Sequence, residues 1–321
     1  MAEYKKSALM SVKSIHRTNL DGPVQGAGRM KIPFQPTPER PMIISASEIA
    51  EFLRCRLKWN WHYRVGITSR KYAMPRAVGT WVHLGKEAWY TLPREQRTAK
   101  KMKSVAEQAI REARMKGAPS KDRDLALAML TGYAMWVRGN HDKSDKAIGK
   151  KIVMPEWEFS LPLLEDGSVL VRGKIDELFE PTIYKNTLAM DETKTRSTIE
   201  FDMLDMSAQM TVYLWAMSEH PLLKKKKYRR FLGWRTVMRR QMPGPRVKAP
   251  LFGREFVERT DEELQMWLRD TRRTVKDMVD AAIYPNKTDR CKFDCDFYNL
   301  CLVRPNLTDL KEVIKSEYVI T

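Results

Sequence analysis

Between residues 156 and 194 the apolar side chains change their spacing, and this limits the available folds more than any other feature of the sequence. Glu156 to Leu163 and Val169 to Glu180 alternate apolar and polar residues around an Asp166-Gly167 pair. Neighbouring residues of a strand point to opposite faces and glycine accepts the turn, so this pattern predicts a β-hairpin. A further strand, Leu188 to Lys194, follows closely. On either side the spacing is helical. Ser45 with Glu48, Ile49, Phe52 and Leu53 behind it predicts an N-capped helix running past Cys55 through Trp59 and Trp61. A second helix begins near Val78 with Trp81, Leu84 and Ala88 on one face, and helices over 101–116 and 122–139 are separated by Gly117-Ala118-Pro119-Ser120. Downstream come a helix around 205–218, with Met206, Met210, Tyr213, Leu214 and Met217 on its apolar side, and a strand over 228–238. A Pro- and Gly-rich loop over 242–253 and a long helix over 261–283 follow. Strands gathered around a strand–helix–strand unit between helical stretches predict an α/β core with helical elaborations.

The charge balance narrows the partners. Fifty-eight Lys and Arg against 40 Asp and Glu leave +18, an excess that favours a polyanion, because neutralising phosphates releases condensed counterions. With 43% hydrophobic and 31% charged residues the chain has a core to bury and is neither a membrane protein nor a disordered one. No apolar run reaches the ~18 residues of a bilayer span. Met1-Ala2-Glu3-Tyr4-Lys5-Lys6 leads into no signal-peptide core, so a cytoplasmic protein with no membrane contact is expected, in a bacterium or a phage-infected host. The first 40 residues, rich in Lys, Arg, Gly, Pro and Gln, read as a flexible basic arm. A helical part over 41–150 carries Cys55 and His83, a core over 151–285 follows, and 286–321 is a cysteine-bearing segment and tail.

Two strands carry the chemistry. Asp176 closes Gly173-Lys174-Ile175-Asp176 on the returning strand of the hairpin, and Asp191-Glu192-Thr193-Lys194 lies on the next strand. Residues two apart on a strand share a face, so Glu192 and Lys194 project together while Asp191 points the other way. If the strands pair so that Asp176 meets Glu192, two carboxylates and an ammonium converge. Such carboxylates bind a hard divalent cation. The cation polarises a phosphoryl oxygen and acidifies a water that the lysine orients, which suits phosphodiester hydrolysis. Glu-x-Lys alone is a common solvated pair, and its company gives it weight. His83, in Gly79-Thr80-Trp81-Val82-His83 on the earlier helix, either completes a metal shell or is an ordinary core or surface residue. Glu87, a turn later, orients that imidazole or faces solvent. Gln209 and Tyr213 share a helix face and reach a nucleic-acid backbone or the lysine, unless Tyr213 is core. Gly79 with Gly85-Lys86 is no phosphate-binding loop, because Glu87 stands where Ser or Thr belongs.

In this order the pieces Gly-x-x-x-His, Gly-x-x-Asp, (Asp/Glu)-x-Lys-Thr and Gln-x-x-x-Tyr resemble the RecB-like branch of the PD-(D/E)XK nuclease superfamily. The resemblance implies a restriction-endonuclease-like core over 151–285, a small mixed sheet flanked by helices. It implies Mg2+ or Mn2+ held by His83, Asp176 and Glu192, nucleophile activation by Lys194, and support from Gln209 and Tyr213. Ile175 replaces the Pro that usually precedes the first acid, and Glu192 replaces the commoner Asp. Asp191 offers a competing register that face alternation disfavours.

Cys291, Cys295 and Cys301 form C-x3-C-x5-C, with Cys55 far upstream. Thiolates gathered this way bind zinc or an iron–sulfur cluster, and polar surroundings argue against four inert buried thiols. One cysteine before the core and three after it resembles the iron–sulfur exonucleases of the RecB-like branch, of AddB and CRISPR-adaptation type. This implies a structural 4Fe–4S cluster stapling the C-terminal segment, and closing so long a loop removes much unfolded-state freedom.

The basic stretches 224–230 and 235–240 flank Trp234, while Trp59, Trp61, Trp81 and Trp89 surround the front motifs. These tryptophans are either core or a stacking platform for single-stranded DNA. The expected substrate is DNA, single-stranded or with frayed ends. Hydrolysis from an end, and a homo-oligomer or a helicase or recombination partner, are implied by the resemblance alone. Recombination, repair, replication, phage DNA processing and spacer acquisition all use this chemistry. Two rival readings remain: a catalytically inactive nuclease-fold module for DNA binding or assembly, and a four-cysteine zinc regulator that binds DNA.

Overall fold

Gly167 takes φ 72°, and Asp166 Oδ1 accepts both the Ser168 N–H (2.9 Å) and hydroxyl (2.7 Å), closing the expected turn. The computed structural model describes residues 35–71, 73–113, 118–138, 150–182, 184–225, 228–280 and 282–320. Most of the basic arm (1–34), Gly117 of the helix break and Lys226-Lys227 of the basic run lie outside them. The first half runs β1 (Met42–Ile44), α1 (Ala46–Arg54), α2 (Arg56–Trp59), a π-helical turn (Asn60–Arg64), β2 (Ile67–Ser69), α3 (Met74–Tyr90), α4 (Ala99–Glu112) and α5 (Ser120–Arg138). The second runs β3 (Lys150–Pro162), β4 (Val169–Pro181), β5 (Thr187–Arg196), α6 (Ala208–Glu219), α7 (Pro221–Lys224), β6 (Arg230–Arg239), β7 (Phe252–Val257), α8 (Asp261–Val279), α9 (Cys291–Asp294), α10 (Tyr298–Val303), α11 (Leu307–Glu317) and β8 (Tyr318–Ile320).

The described chain divides into two compact units, one of 36–50 and 71–277, the other joining 51–70 to the chain from Met278 onward. The larger unit holds a six-stranded mixed sheet, ordered β1-β4-β5-β6-β7 with β3 paired to β4. β4 is antiparallel to β3 and β5, β1 is parallel to β4, and β6 is parallel to β5 through the α6 crossover and antiparallel to β7. This is the mixed α/β sheet with flanking helices that the resemblance implied. The ladder between β4 and β5 covers only Glu177–Phe179 against Asp191–Ala189. β1 takes the same edge of β4 at Val169–Val171. The sheet therefore forks beside Asp176, and β5 continues alone with β6 as far as Arg196.

Helices α3, α4 and α5 pack a second core around Val78, Trp81, Val82, Met102, Met129 and Leu130. Gly85 is small by necessity, because a Cβ there would collide with Leu130. In the smaller unit β2 pairs antiparallel with β8, and Phe297 stacks on Tyr318 at 5.6 Å and 8°.

Several expectations are corrected. The first helix does not run through Cys55, whose φ −160° and ψ 109° place an extended residue between α1 and α2. α3 begins earlier, at Met74, helped by Pro75 in its first turn. Its buried face includes Val78, Trp81, Val82, Gly85, Lys86 and Trp89, while Leu84 and Ala88 are half-exposed. β7 emerges at the end of the stretch assigned to a loop. Trp59, Trp61, Trp81, Trp89 and Trp234 are at most 3% exposed, so they are core and form no stacking platform. Among the described residues no helix is long and apolar enough to cross a membrane.

Candidate active site and thiol cluster

Where β4 and β5 part, the N–H groups of β5 lose their ladder partners, and the Thr193 N–H donates to Asp176 Oδ2 at 2.8 Å. The other oxygen, Asp176 Oδ1, lies 3.0 Å from His83 Nδ1, which α3 brings across the fork. Glu192, on the same face of β5 as Lys194, accepts from Lys194 Nζ (2.6 Å) and Gln209 Nε2 (2.8 Å) on its Oε1. Gln209 also donates to the Tyr213 hydroxyl at 2.9 Å, one turn along α6. Asp191 points to the opposite face, where it is fully buried and bonded to Thr236 (2.6 Å) and Arg254 (3.1 Å). The structure thus gathers Glu192, Lys194, Gln209 and Tyr213 into one bonded set and His83 with Asp176 into another, with the fork between them.

Electrostatics join the two sets. Burial, and next the Asp176 charge, push the Glu192 carboxyl above its ordinary value, against the pull of Lys194. Burial also acts to raise Asp176, but the charge and hydrogen bond of His83, the charge of Lys86 and the Thr193 N–H together hold it below the usual range. Burial and the nearby Glu192 raise Tyr213, so its hydroxyl keeps its proton at physiological pH. Among the described residues, the buried Glu192 Oε2 has no hydrogen-bond partner. An orphaned carboxylate oxygen beside a second carboxylate is a donor set that suits a divalent cation, which would cancel their repulsion. Among the described residues no three or more His, Cys, Asp or Glu side chains are already drawn into metal-holding geometry; His83 Nδ1 is engaged by Asp176.

Two residues here escaped the reading of the sequence. Lys86 is 3% exposed, donates to Thr193 Oγ1 and sits 5.0 Å from the Tyr133 ring centroid. Its one signal was a cation on the apolar stripe of α3. Arg235, read only as part of a basic stretch, lies level with Glu192 on the neighbouring strand.

The four cysteines all belong to the smaller unit and form no disulfide. Burial raises the Cys295 and Cys301 thiols, and the charges of Cys55 and Cys291 raise both further, so Cys55 and Cys291 lie within electrostatic reach of each. The Thr288 N–H, 3.3 Å from Cys291 Sγ, and the Thr288 hydroxyl lower the Cys291 thiol. Lys58, Lys287, Arg54 and Arg304 act to stabilise thiolates here. Four cysteines with cations among them supply the side-chain type that an iron–sulfur cluster or a zinc ion would take as ligands.

The structure is similar to that of a candidate exonuclease from Eubacterium rectale, at 13% identity and TM-score 0.44, covering 78% of this chain and 88% of that one. It is also similar to the structure of SSO0001, at 12% identity and TM-score 0.35, covering 82% and 86%. No curated protein matches the sequence. The family model of the PD-(D/E)XK nuclease superfamily matches residues 43–302, from β1 through Cys301 and across the whole fork, and the chain belongs to that superfamily.

Proposed function

We propose that this protein is a metal-dependent deoxyribonuclease of the RecB-like type that hydrolyses phosphodiester bonds from the ends of single-stranded or frayed DNA. The observation that carries the reading is the fork itself: Asp176 and Glu192 flank it, Glu192 Oε2 is left without a partner among the described residues, and Lys194 is bonded to the same carboxylate. His83, Asp176 and Glu192 are the residues that would hold Mg2+ or Mn2+, which supplies Lewis-acid polarisation of a phosphoryl oxygen and an acidified water. Lys194, with a third of its side chain exposed, orients the attacking water or meets charge developing on the phosphoryl group. Gln209 fixes Glu192 Oε1 and is itself fixed by Tyr213, so the remaining oxygen keeps one direction. The His83 Nδ1 contact orients Asp176. The +18 charge draws a polyanion toward the molecule.

Cys55, Cys291, Cys295 and Cys301 are assigned to a 4Fe–4S cluster of structural role. The support is the electrostatic reach of Cys55 and Cys291 to Cys295 and Cys301, and the cations around them. The setting that fits is cytoplasmic DNA recombination, repair, replication or phage DNA processing.

End-labelled single-stranded DNA incubated with manganese should be shortened from an end by the wild-type protein and left intact by Lys194→Ala. No cleavage by either protein would leave an inactive DNA-binding module. Anaerobically purified protein should be brown, with a visible thiolate-to-iron absorption; bound zinc and no colour would overturn the cluster.

A further inference from the structure

Arg235 is a buried cation whose position the roles above do not explain. β6 runs parallel to β5 with Arg235 level with Glu192, so both side chains rise from the same face of the sheet. The residue is 7% exposed. Among the described residues its Nε has no hydrogen-bond partner, and its guanidinium makes one long contact, 3.5 Å to Ser207 Oγ. Glu192 exerts the strongest charge on it, with Asp176 also in range. Ser207 is the N-cap of α6, a helix of 12 residues, so the positive end of that helix begins beside the guanidinium. A guanidinium taken out of water without a carboxylate to share its fork is costly. The group that matches such a fork in two parallel hydrogen bonds, and that a nuclease brings to this place, is a phosphate.

We propose that Arg235 is a substrate-contacting catalytic residue of this centre, its guanidinium holding the non-bridging oxygens of the DNA phosphate nearest Glu192. The assignment rests on the nuclease reading of the site and extends it, giving the negative phosphate a partner beside two carboxylates that would otherwise repel it. Lys194 meets the reaction from β5, and Arg235 from β6.

The test uses the full-length Lys194→Ala protein as a non-cleaving parent. Its binding to an end-labelled single-stranded oligonucleotide is measured with manganese over a range of salt concentrations. Adding Arg235→Met should weaken binding and reduce the slope of log K against log salt by about 0.7, the loss of one single-strand phosphate contact. Adding Arg235→Lys instead should keep most of the slope. The melting temperature of the Arg235→Met protein should not fall, because removing a buried cation offsets the loss of its one long contact to Ser207. With Lys194 intact, Arg235→Met should lower kcat/KM by about 10²-fold or more. An unchanged salt slope would overturn the proposal, as would a parent that binds no DNA or a melting loss restored by Arg235→Lys without change in slope. Wild-type protein that binds but never cleaves would instead overturn the nuclease reading, and a slope changed by Arg235→Met would still establish the contact.

Discussion

Asp176 and Glu192 face each other across the fork with opposite electrostatic histories. Glu192 is raised, first by burial and then by its neighbour. A carboxyl whose folded value exceeds its unfolded one contributes stability below the unfolded value and loses it as pH rises through the folded one. At neutral pH the ionised Glu192 is therefore a stability cost. Glu192→Gln should abolish cleavage yet raise the melting temperature of the metal-free protein at pH 7 by about 2–4 °C, the response of a large domain to ~1 kcal/mol. A lower melting temperature would show that Lys194 and Gln209 already balance the charge. Asp176 is held low by His83 and Thr193, so its contribution is present above its unfolded value and is lost as pH falls through the lowered one. Asp176→Asn in the same thermal assay should destabilise by about 1–3 kcal/mol, because a charge-assisted partner is removed from both groups.

At the scale of elements, the local signals were legible and the long-range ones were not. The β3–β4 hairpin, β5, α6 and β6 each carry their own period or turn and stand close to where the spacing placed them, except that Met206, expected on the apolar side of α6, precedes the Ser207 N-cap and is 77% exposed. β1, β2 and β8 are three residues each, too short to show a period. β7 shows no alternation in its burial and hides behind the Pro-rich loop. Nothing in the sequence marks the extended Cys55, since neither Gly nor Pro breaks the helix there. Face alternation separated Glu192 from Asp191, but where the β4–β5 ladder ends depends on pairing across the sheet. Arg235 looked like surface because it heads a basic stretch, although β6 is buried from Leu232 to Met238. Close packing under the site is testable at Gly173, where a Cβ would strike the Phe159 ring and lie 3.1 Å from Tyr213 Cε1. Gly173→Ala should cost about 1–3 kcal/mol in urea denaturation and slow cleavage by displacing Tyr213 and Gln209. Unchanged stability and rate would show that the rings move aside freely.

Across the whole molecule, the fork and the cysteines fall in separate units, the fork within 71–277 and the four cysteines within 51–70 and the chain beyond Met278. The proposed cluster, tying Cys55 to Cys301, would make metal binding part of the folding free energy of the smaller unit. Cys295→Ser should remove the iron–sulfur colour, lower the melting temperature and expose 278–320 to protease; a colourless variant with wild-type stability would contradict the structural role. Calorimetric titration of the apoprotein with Mn2+ probes the fork directly, with Asp176→Asn and Glu192→Gln as the comparison. One site should appear in the wild-type protein, and each variant should lose most of its affinity, because each removes a carboxylate from the same ion. Variants that bind manganese as tightly as the wild type would show that Asp176 and Glu192 share no cation.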